Sequence, residues 1–257
     1  MRILSIHAHP DDMEILAGGA LALLAERGHH ITVVTMTPGD KGSNTLDQDQ
    51  IAAVRREEAR AAAAMIGADY LCAEFRDLEI FNDNPSRRRV TEILRITRPD
   101  IVLTSSPADY LCDHEATSIL VRDAMFGASA PNYLTAADNP AKPLAGIPHL
   151  YYMDAISGHD RDGKPILPDF VVDVSTKFRL KWDMLAAHSS QREWLRAQHG
   201  MDDYMTTMEA WTKICGQRAG LAYGEGFRQY KGHPYPESPA LQDLLGDCVH
   251  PPSVRVP

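Results

Sequence analysis

The chain has 257 residues, a formal net charge of −9 at pH 7 and a charged fraction of 24%. This size and composition are typical of one large α/β domain, alone or with a small appendage, and the acidic balance excludes a basic nucleic-acid-binding protein. No apolar run approaches the roughly 20 residues of a membrane-spanning helix, and no segment resembles a signal peptide. Its four cysteines form no Cys-x-x-Cys pair, which argues against a disulfide framework or a cysteine zinc site and favours a cytoplasmic protein.

Strand-like and helix-like segments alternate along the first half of the chain. The predicted strands are 2–8, 30–37, 69–75 and 100–106, and the predicted helices are 14–27, 49–66, 86–97 and 114–126. This fourfold repeat predicts a Rossmann-like α/β fold, with a doubly wound, mostly parallel sheet and helices on both faces.

The second half of the chain has a looser pattern. The predicted elements are a strand pair at 149–156 and 169–175, followed by helices at 176–188 and 202–218. The last forty residues are rich in Gly and Pro and lack periodicity. We therefore predict a core over residues 1–192 and an extension over residues 193–257, made of a helix and an irregular tail. The tail is expected to pack on the core or on a neighbouring subunit, which favours a homo-oligomer.

The turn after the first predicted strand contains the residues that most clearly indicate a metal or catalytic site. A histidine, a proline and two adjacent carboxylates separate strand from helix in His9-Pro10-Asp11-Asp12. Because His9 and Asp12 are three residues apart, a tight turn can aim both at a zinc ion that needs a third protein ligand and an open position. Asp11 would then lie beside the metal as a general base. The alternative is that Asp11 or Asp12 only caps the helix and that His9 is a polar strand end.

A second polar loop follows the fourth predicted strand. In a doubly wound sheet of order 3-2-1-4, the crevice forms between strands 1 and 4, so the loops after these strands face each other. The second loop carries Asp113 and His114 at the start of a helix. An Asp-His pair in this position usually caps a helix, but opposite the first loop His114 becomes the predicted third ligand.

These motifs together resemble the LmbE-like (PIG-L) superfamily of zinc-dependent N-deacetylases. The resemblance covers residues 2–192, with a weaker likeness at 224–227. The segments that carry it are 9–14 with 18–19, 37–42, 55–58, 99–102, 113–114, 173–175, 181 and 188–191. Several motifs in the same order make the match more specific than the first motif alone.

The resemblance implies a hydrolase that removes an acetyl or other short acyl group from an N-acetylated, amino-sugar-like substrate. It implies His9, Asp12 and His114 as ligands of Zn²⁺, with Fe²⁺ as the other possible metal. Asp11 is implied as the base that activates a water at the metal and returns the proton to the leaving amine.

Further residues receive supporting roles. Arg55 rather than Arg56 matches the family position for a substrate contact. Glu14 is expected outside the ligand set, and Asp113 is expected to orient His114. His188 lies in a matched block and either lines the pocket or packs a helix. The loops 129–147 and 158–163 are candidate pocket walls or plain surface loops.

One position departs from the family pattern. Family members often carry His-Pro-Asp-His in the second motif, where the first histidine assists the tetrahedral intermediate, but this chain has Leu111 there. Leu111 cannot donate a hydrogen bond and Cys112 does so only weakly. Either Asp11 acts alone as acid and base, or another group substitutes. The candidates for that group are Tyr110, His188 and His7.

Two other functions stay open at this point. An amidase that cleaves a larger amide, such as a thiol conjugate, would differ only in pocket shape. A zinc-containing binding protein without efficient turnover is favoured by Leu111 and opposed by the intact Asp11. A nucleotide-binding Rossmann protein is disfavoured because no Gly-x-Gly-x-x-Gly follows the first strand. The expected partner is a small-molecule N-acyl substrate, an amino sugar or glycoside, and neither a nucleic acid nor a membrane.

Overall fold

The fold is an eight-stranded sheet between two layers of helices. The computed structural model describes residues 1–199 and 203–253; residues 200–202 and 254–257, which include the predicted start of the last helix and the end of the tail, lie outside the described residues. The strands are β1 (Arg2–His7), β2 (His30–Thr35), β3 (Asp69–Cys72), β4 (Ile101–Thr104), β5 (His149–Met153), β6 (Phe170–Asp173), β7 (Gly224–Gln229) and β8 (Val249–His250). The helices are α1 (Asp12–Leu16), α2 (Gly18–Glu26), α3 (Gln48–Ala64), α4 (Asn84–Thr97), α5 (Cys112–Ala128), α6 (Phe178–Ala186), α7 (Ser189–His199), α8 (Asp203–Gln217) and α9 (Ala240–Leu245).

The parallel half of the sheet confirms the predicted order. The strands run β3-β2-β1-β4-β5, each parallel to its neighbour. Residues Ile6 and Thr104 are register partners near the ends of β1 and β4, so the two loops that follow leave the sheet side by side. Successive residues of β1 face opposite layers: Ile3 packs in the core on one side of the sheet, and Leu4 packs in the core on the other.

The predicted pairing of the strands near 149–156 and 169–175 is wrong. β7 lies between β5 and β6 and is antiparallel to both. It comes from the part of the tail predicted to be irregular. Its glycines are required by close approach: a Cβ at Gly226 would lie 2.4 Å from Asp154 Oδ2, and one at Gly224 would lie 2.6 Å from Val171 Cγ1. Glycines at these positions remove the apolar alternation by which a strand is predicted.

Two helical segments also differ from prediction. The segment predicted as one helix over 14–27 is two helices, α1 and α2, separated by Ala17 in a non-helical conformation. Helix α7 was not predicted. Its start is held by Glu58 of α3, whose carboxylate accepts hydrogen bonds from the Ser190 amide at 2.8 Å and from the hydroxyls of Ser189 and Ser190. A carboxylate from a distant helix therefore satisfies the first turn of α7.

Several motifs of the family pattern meet in one buried ion pair away from the site. Lys181 Nζ lies 2.7 Å from Glu225 Oε1, and both side chains are buried. The Glu225 carboxylate accepts the backbone amides of Gly19 and Ala20 at 2.8 Å each, so it caps the N-terminus of α2. Lys181 also donates to the Ile15 carbonyl at 2.9 Å. These residues join α1, α2, α6 and β7 beneath the loop after β1.

Removal of Lys181 is expected to destabilise the fold. Lys181→Met leaves the buried Glu225 carboxylate without its cation, and breaking a buried pair in this way costs about 3–5 kcal/mol of unfolding free energy. Urea denaturation measures the change. The matched control is Lys164→Met, because the Lys164 side chain is 76% exposed and its loss should change the unfolding free energy little. A similar unfolding free energy for both variants would contradict the structural role of this pair.

Three further expectations concern membrane spans, cysteines and the domain boundary. In the part of the chain that the structure describes, no helix combines the length and apolar character needed to cross a bilayer. The four cysteines are free thiols. The division of the chain at residue 192 stays a prediction.

Candidate active site

Three side chains from the loops after β1 and β4 converge at the carboxyl edge of the sheet. One ligand atom each from His9, Asp12 and His114 lies within 4.8 Å of the other two. Asp12 Oδ1 is 3.3 Å from His114 Nε2, and Asp12 Oδ2 is 3.6 Å from His9 Nδ1. Two imidazole nitrogens and one carboxylate oxygen form a donor set that suits a divalent metal ion with an open coordination position.

Each histidine of this triad is held by a further carboxylate. His9 Nε2 lies 3.0 Å from Asp113 Oδ2, and His114 Nδ1 lies 3.0 Å from Asp109 Oδ1. The structure thus corrects the prediction for Asp113, which contacts His9 rather than His114. Asp109 instead contacts His114, which is the role predicted for Asp113. It could not be predicted, because a carboxylate five residues before a histidine forms no recognisable sequence pattern. The nitrogens left free for a metal are Nδ1 of His9 and Nε2 of His114.

The electrostatics of the triad favour a bound cation. Burial lowers the pKa of His9, but Asp113 and Asp12 outweigh it and raise that pKa to about 9. Burial likewise opposes the charged form of His114, but Asp12 and Asp109 raise its pKa well above the usual value. Burial would raise the pKa of Asp12, yet the two histidines hold it well below its usual range. The carboxylates therefore stabilise positive charge at and between the two imidazoles. Protons or a metal ion can supply that charge.

Asp11 lies next to the triad in a strained backbone conformation. Its φ of 98° is in the left-handed region, which costs a non-glycine residue on the order of 1–3 kcal/mol. The Ile15 amide donates to the Asp11 carbonyl at 3.1 Å, which ties this residue to the start of α1. Its carboxylate Oδ2 accepts a hydrogen bond from the Tyr204 hydroxyl at 2.7 Å and lies 3.5 Å from Arg55 Nη2. Burial raises the pKa of Asp11 more than Arg55 lowers it, as suits a group that takes up and returns a proton.

Arg55, and not Arg56, reaches the site. Arg55 is buried and donates to the Pro10 carbonyl at 2.8 Å and to the Gly39 carbonyl at 3.3 Å. A Cβ at Gly39 would lie 2.3 Å from the guanidinium, and the φ of +75° also favours glycine there. Arg56 pairs with Glu74 on the surface. The glycine-containing loop at 37–42 is thus the surface against which Arg55 packs.

Comparison with known proteins adds to this geometry. Residues 4–125 match the family model described as PIG-L: GlcNAc-PI de-N-acetylase. Over these residues the sequence is similar to the PIG-L family.

Relatives of this chain carry two kinds of activity in their names. The diacetylchitobiose deacetylase of Thermococcus kodakarensis is 26% identical over 250 residues, which are 90% of this chain and 84% of that protein. The 4-oxalmesaconate hydratase of Pseudomonas putida is 28% identical over 196 residues, 73% of each protein. The solved structure of the N,N'-diacetylchitobiose deacetylase from Pyrococcus horikoshii superposes with a TM-score of 0.74 at 25% identity, covering 92% of this chain and 87% of that one.

The candidates expected to replace the histidine that the family resemblance implies at position 111 lie in different surroundings. Tyr110 lines the cavity above the triad, with its ring edge-on to His114 at a centroid distance of 5.6 Å. His188 is buried, with Nε2 3.1 Å from Glu14 Oε1, beneath the site rather than in its wall. His7 is buried against Ser5, and burial lowers its pKa to about 4. Of these candidates, Tyr110 is the one that faces the cavity.

The cavity at the triad has a volume of about 550 Å³ and includes walls that sequence reasoning missed. Helices α7 and α8 contribute Trp194, Leu195 and Tyr204, which come from the segment predicted as an extension. Asp77 also lines the cavity, and its carboxylate accepts the Lys41 amide at 2.9 Å. Among the described lining residues none comes from the loops 129–147 or 158–163. Nothing in the local sequence around Tyr204 could have indicated a contact with Asp11, 193 residues away.

Proposed function

We propose that this protein is a metal-dependent N-deacetylase that hydrolyses the acetamide, or another short amide, of an amino-sugar-like substrate. The observation that carries the proposal is the Asp11 carboxylate, fixed beside a triad of His9, Asp12 and His114 at an open cavity. The deacetylases among its relatives support the same reaction. The products would be the carboxylate of the acyl group and a free amine.

The triad fits a metal ion by its donor set and by the carboxylates behind it. His9 Nδ1, a carboxylate oxygen of Asp12 and His114 Nε2 would hold the ion, which we propose to be Zn²⁺, with Fe²⁺ as the alternative. When bound, such an ion polarises the amide carbonyl and lowers the pKa of water. Asp113 and Asp109 keep both imidazoles in the orientation that presents these nitrogens.

Asp11 moves the protons of the reaction. Its carboxylate accepts a proton from the attacking water as the oxygen–carbon bond forms, and it gives that proton to the nitrogen as the carbon–nitrogen bond breaks. Leu111 offers no proton, so Asp11 serves both steps. Arg55 and Tyr204 hold the carboxylate in place, and the Tyr204 hydroxyl stays protonated because burial and Asp11 raise its pKa well above the usual value.

The cavity wall favours a neutral amide over a polyanion. The aromatic rings of Tyr110 and Trp194 line it and can pack on the C–H face of a sugar ring. Apart from the histidines of the triad, the cationic side chains among the described lining residues are Lys41 and Arg55, and both already have protein acceptors. Lys41 Nζ donates to the Asp77 carbonyl at 2.6 Å, and Arg55 lies against Asp11. A substrate that is neutral at the reacting group leaves these contacts intact.

A hydratase is the second candidate, because the relative from Pseudomonas putida bears that name. Its named substrate is an organic acid, which as an anion would compete with Asp77 and Asp11 for Lys41 and Arg55. The same metal triad and the same base could activate water for addition to a carbon–carbon double bond. We prefer the deacetylase because Lys41 and Arg55, which would bind an anionic substrate, are already paired with Asp77 and Asp11.

Chelator-sensitive amine release is the expected result that tests the proposal. The protein loaded with Zn²⁺ is incubated with N-acetylglucosamine, its methyl glycoside and N,N'-diacetylchitobiose, and free amine is measured with and without chelator. Unsaturated di- and tricarboxylates are assayed in parallel by loss of ultraviolet absorbance. Amine release that the chelator abolishes supports the deacetylase, and hydration without amine release supports the second candidate. Bound zinc with neither activity would favour the larger-amide amidase or the non-catalytic binding protein.

Tyr204→Phe is expected to lower kcat about tenfold with little change in KM or in bound metal. The hydroxyl donates to Asp11 Oδ2, and hydrogen bonds to charged groups contribute about 1.5–3 kcal/mol, enough for this loss in rate. Steady-state kinetics with metal analysis measure the effect. The control is Tyr70→Phe, which removes a phenol that bonds to Thr35 at 2.9 Å away from the site. An unchanged kcat in Tyr204→Phe would show that the hydroxyl does not position the base.

We also propose a cytoplasmic homo-oligomer that acts on a small molecule. The four free thiols support a reducing compartment. Size-exclusion chromatography with light scattering tests the oligomeric state, and a monomer at micromolar concentration would contradict it.

A further inference from the structure

A cavity of about 590 Å³ lies beside α4, and none of its described lining residues belongs to the cavity at the triad. We call it the α4 cavity and define it by Cys72, Asn84, Arg88, Arg89, Glu92 and Thr135. Its arginines come from the sequence run 87–89, which no step of the proposed mechanism uses. A cavity of this volume can hold a small organic molecule, so its polar groups indicate the kind of molecule that it binds.

The Arg88 side chain lines this cavity without a hydrogen-bond acceptor. Its Nε is buried and has no partner among the residues that the structure describes. The guanidinium carbon lies 5.9 Å from the centroid of the Tyr133 ring, which holds the side chain against the loop 129–147. A half-buried guanidinium without an acceptor has lost part of its hydration, and the oxygens of an anion would restore its hydrogen bonds.

The one carboxylate in the described lining of the α4 cavity does not supply that acceptor. Glu92 lies one helical turn after Arg88, but its carboxylate accepts the Thr135 hydroxyl at 2.6 Å and the Ala141 amide at 2.7 Å. Arg89 donates to the backbone carbonyl of Glu74 at 3.2 Å, which is a neutral acceptor. The α4 cavity therefore has two guanidinium groups and one carboxylate, and its net charge is positive.

Asn84 provides a further donor on the same face of α4. It lies four residues before Arg88, so the two side chains are neighbours on the helix surface. The Tyr133 hydroxyl donates to Asn84 Oδ1 at 3.0 Å, which leaves the amide nitrogen of Asn84 as a donor toward the cavity. The backbone at the start of α4 offers less, because the Asp83 carboxylate already accepts the Ser86 amide at 2.8 Å. Side chains, and not the helix end, thus define the polar part of the cavity.

We propose that the α4 cavity is a second binding site, for a small organic anion whose phosphate or carboxylate group lies between Arg88 and Asn84. The planar fork of a guanidinium matches either group with two parallel hydrogen bonds. Pro85, Ile93 and Ala136 line the rest of the cavity and would contact the carbon skeleton of the ligand. Because the triad contributes nothing to this site, the inference is independent of the proposed deacetylase.

Calorimetric titration with glycerol 3-phosphate and with succinate tests the site, and glycerol is the uncharged control. We expect at least one of the two anions to bind, and Arg88→Met to weaken that binding about tenfold or more, because charge-assisted hydrogen bonds are lost. Arg88→Lys keeps the charge without the planar fork and should give a smaller loss. Arg179→Met is the matched control, because the Arg179 side chain is 83% exposed on α6 and is not among the described lining residues of either cavity.

Each result supports or overturns the α4 cavity as an anion site. Tighter binding of glycerol 3-phosphate would identify a phosphate ester as the ligand class, and tighter binding of succinate would identify a carboxylate. Equal affinity in Arg88→Met and the unmodified protein would place the anion elsewhere, for example at the triad, and would overturn the proposal. Equal weakening in Arg88→Met and Arg179→Met would show nonspecific attraction and overturn it too.

Two further controls complete the test. Failure of both anions to bind at millimolar concentration would also overturn the proposal. Thermal denaturation without ligand shows whether each variant is folded, and Arg88→Lys replaces Arg88→Met in the comparison if the methionine variant is not. Amine release enters none of these measurements, so failure of the deacetylase would leave this result unchanged.

Discussion

Asp11→Asn is expected to lower kcat by about 10³-fold, within the 10²–10⁴-fold range of general acid–base catalysis, while the protein keeps its metal. The variant removes the only proton acceptor that the mechanism uses, since Leu111 replaces the family histidine. Asparagine is the informative substitution because it tolerates the left-handed conformation, here with φ of 98°, nearly as well as aspartate does. Amine release and metal content measured on the same sample test this expectation.

The control for this variant separates chemistry from folding. Asp162→Asn changes an exposed carboxylate in the loop 158–163 and should leave kcat and metal content unchanged. Retention of more than a tenth of the original kcat by Asp11→Asn would remove Asp11 from the role of base. Loss of metal together with activity would indicate that Asp11 belongs to the ligand set.

His114→Ala is expected to abolish both bound metal and turnover. It leaves two protein ligands, His9 and Asp12, where a catalytic site needs three. Affinity for Zn²⁺ should fall by on the order of 100-fold or more, because loss of a carboxylate behind a ligand already costs about 10–100-fold. Asp109→Asn should give that smaller loss, since it removes the group 3.0 Å from His114 Nδ1. Competition with a chromogenic chelator measures both affinities.

A surface histidine provides the matched control for His114→Ala. His30→Ala removes an imidazole with a 47% exposed side chain at the start of β2 and should change neither metal content nor turnover. Full metal occupancy in His114→Ala would contradict the assignment of His114 as a metal ligand. Equal affinities of Asp109→Asn and the unmodified protein would instead show that the contact with Asp109 is structural only.

Much of the parallel half of the fold could be predicted because its signals are local. The apolar run of β1 and the turn residues after it lie within a dozen positions, and the alternation of strands and helices specifies the order around β1 and β4. The opposition of the loops that carry His9 and His114 then follows from a general rule of doubly wound sheets. Family resemblance strengthened these expectations through motifs that are themselves local.

The contacts that prediction missed join residues distant in the chain. Tyr204 and Asp11 are 193 positions apart, and their hydrogen bond depends on how α8 packs over the loop after β1. Asp109 lies in the loop before α5 and Asp113 lies in the first turn of α5, and only the side-chain directions in the folded chain decide which histidine each contacts. Sequence spacing alone could not distinguish the two pairings.

The sequence by itself thus determined the class of fold, the order of its parallel strands and the residue types of the triad His9, Asp12 and His114, because periodicity and turn chemistry act over short distances. Tertiary structure decided the place of β7. Its glycines are needed because Asp154 and Val171 approach the strand closely, and they do not follow the alternation by which a strand is predicted. It also decided the cavity walls from α7 and α8. These contacts depend on how distant elements of the chain pack together, so no local sequence pattern can predict them.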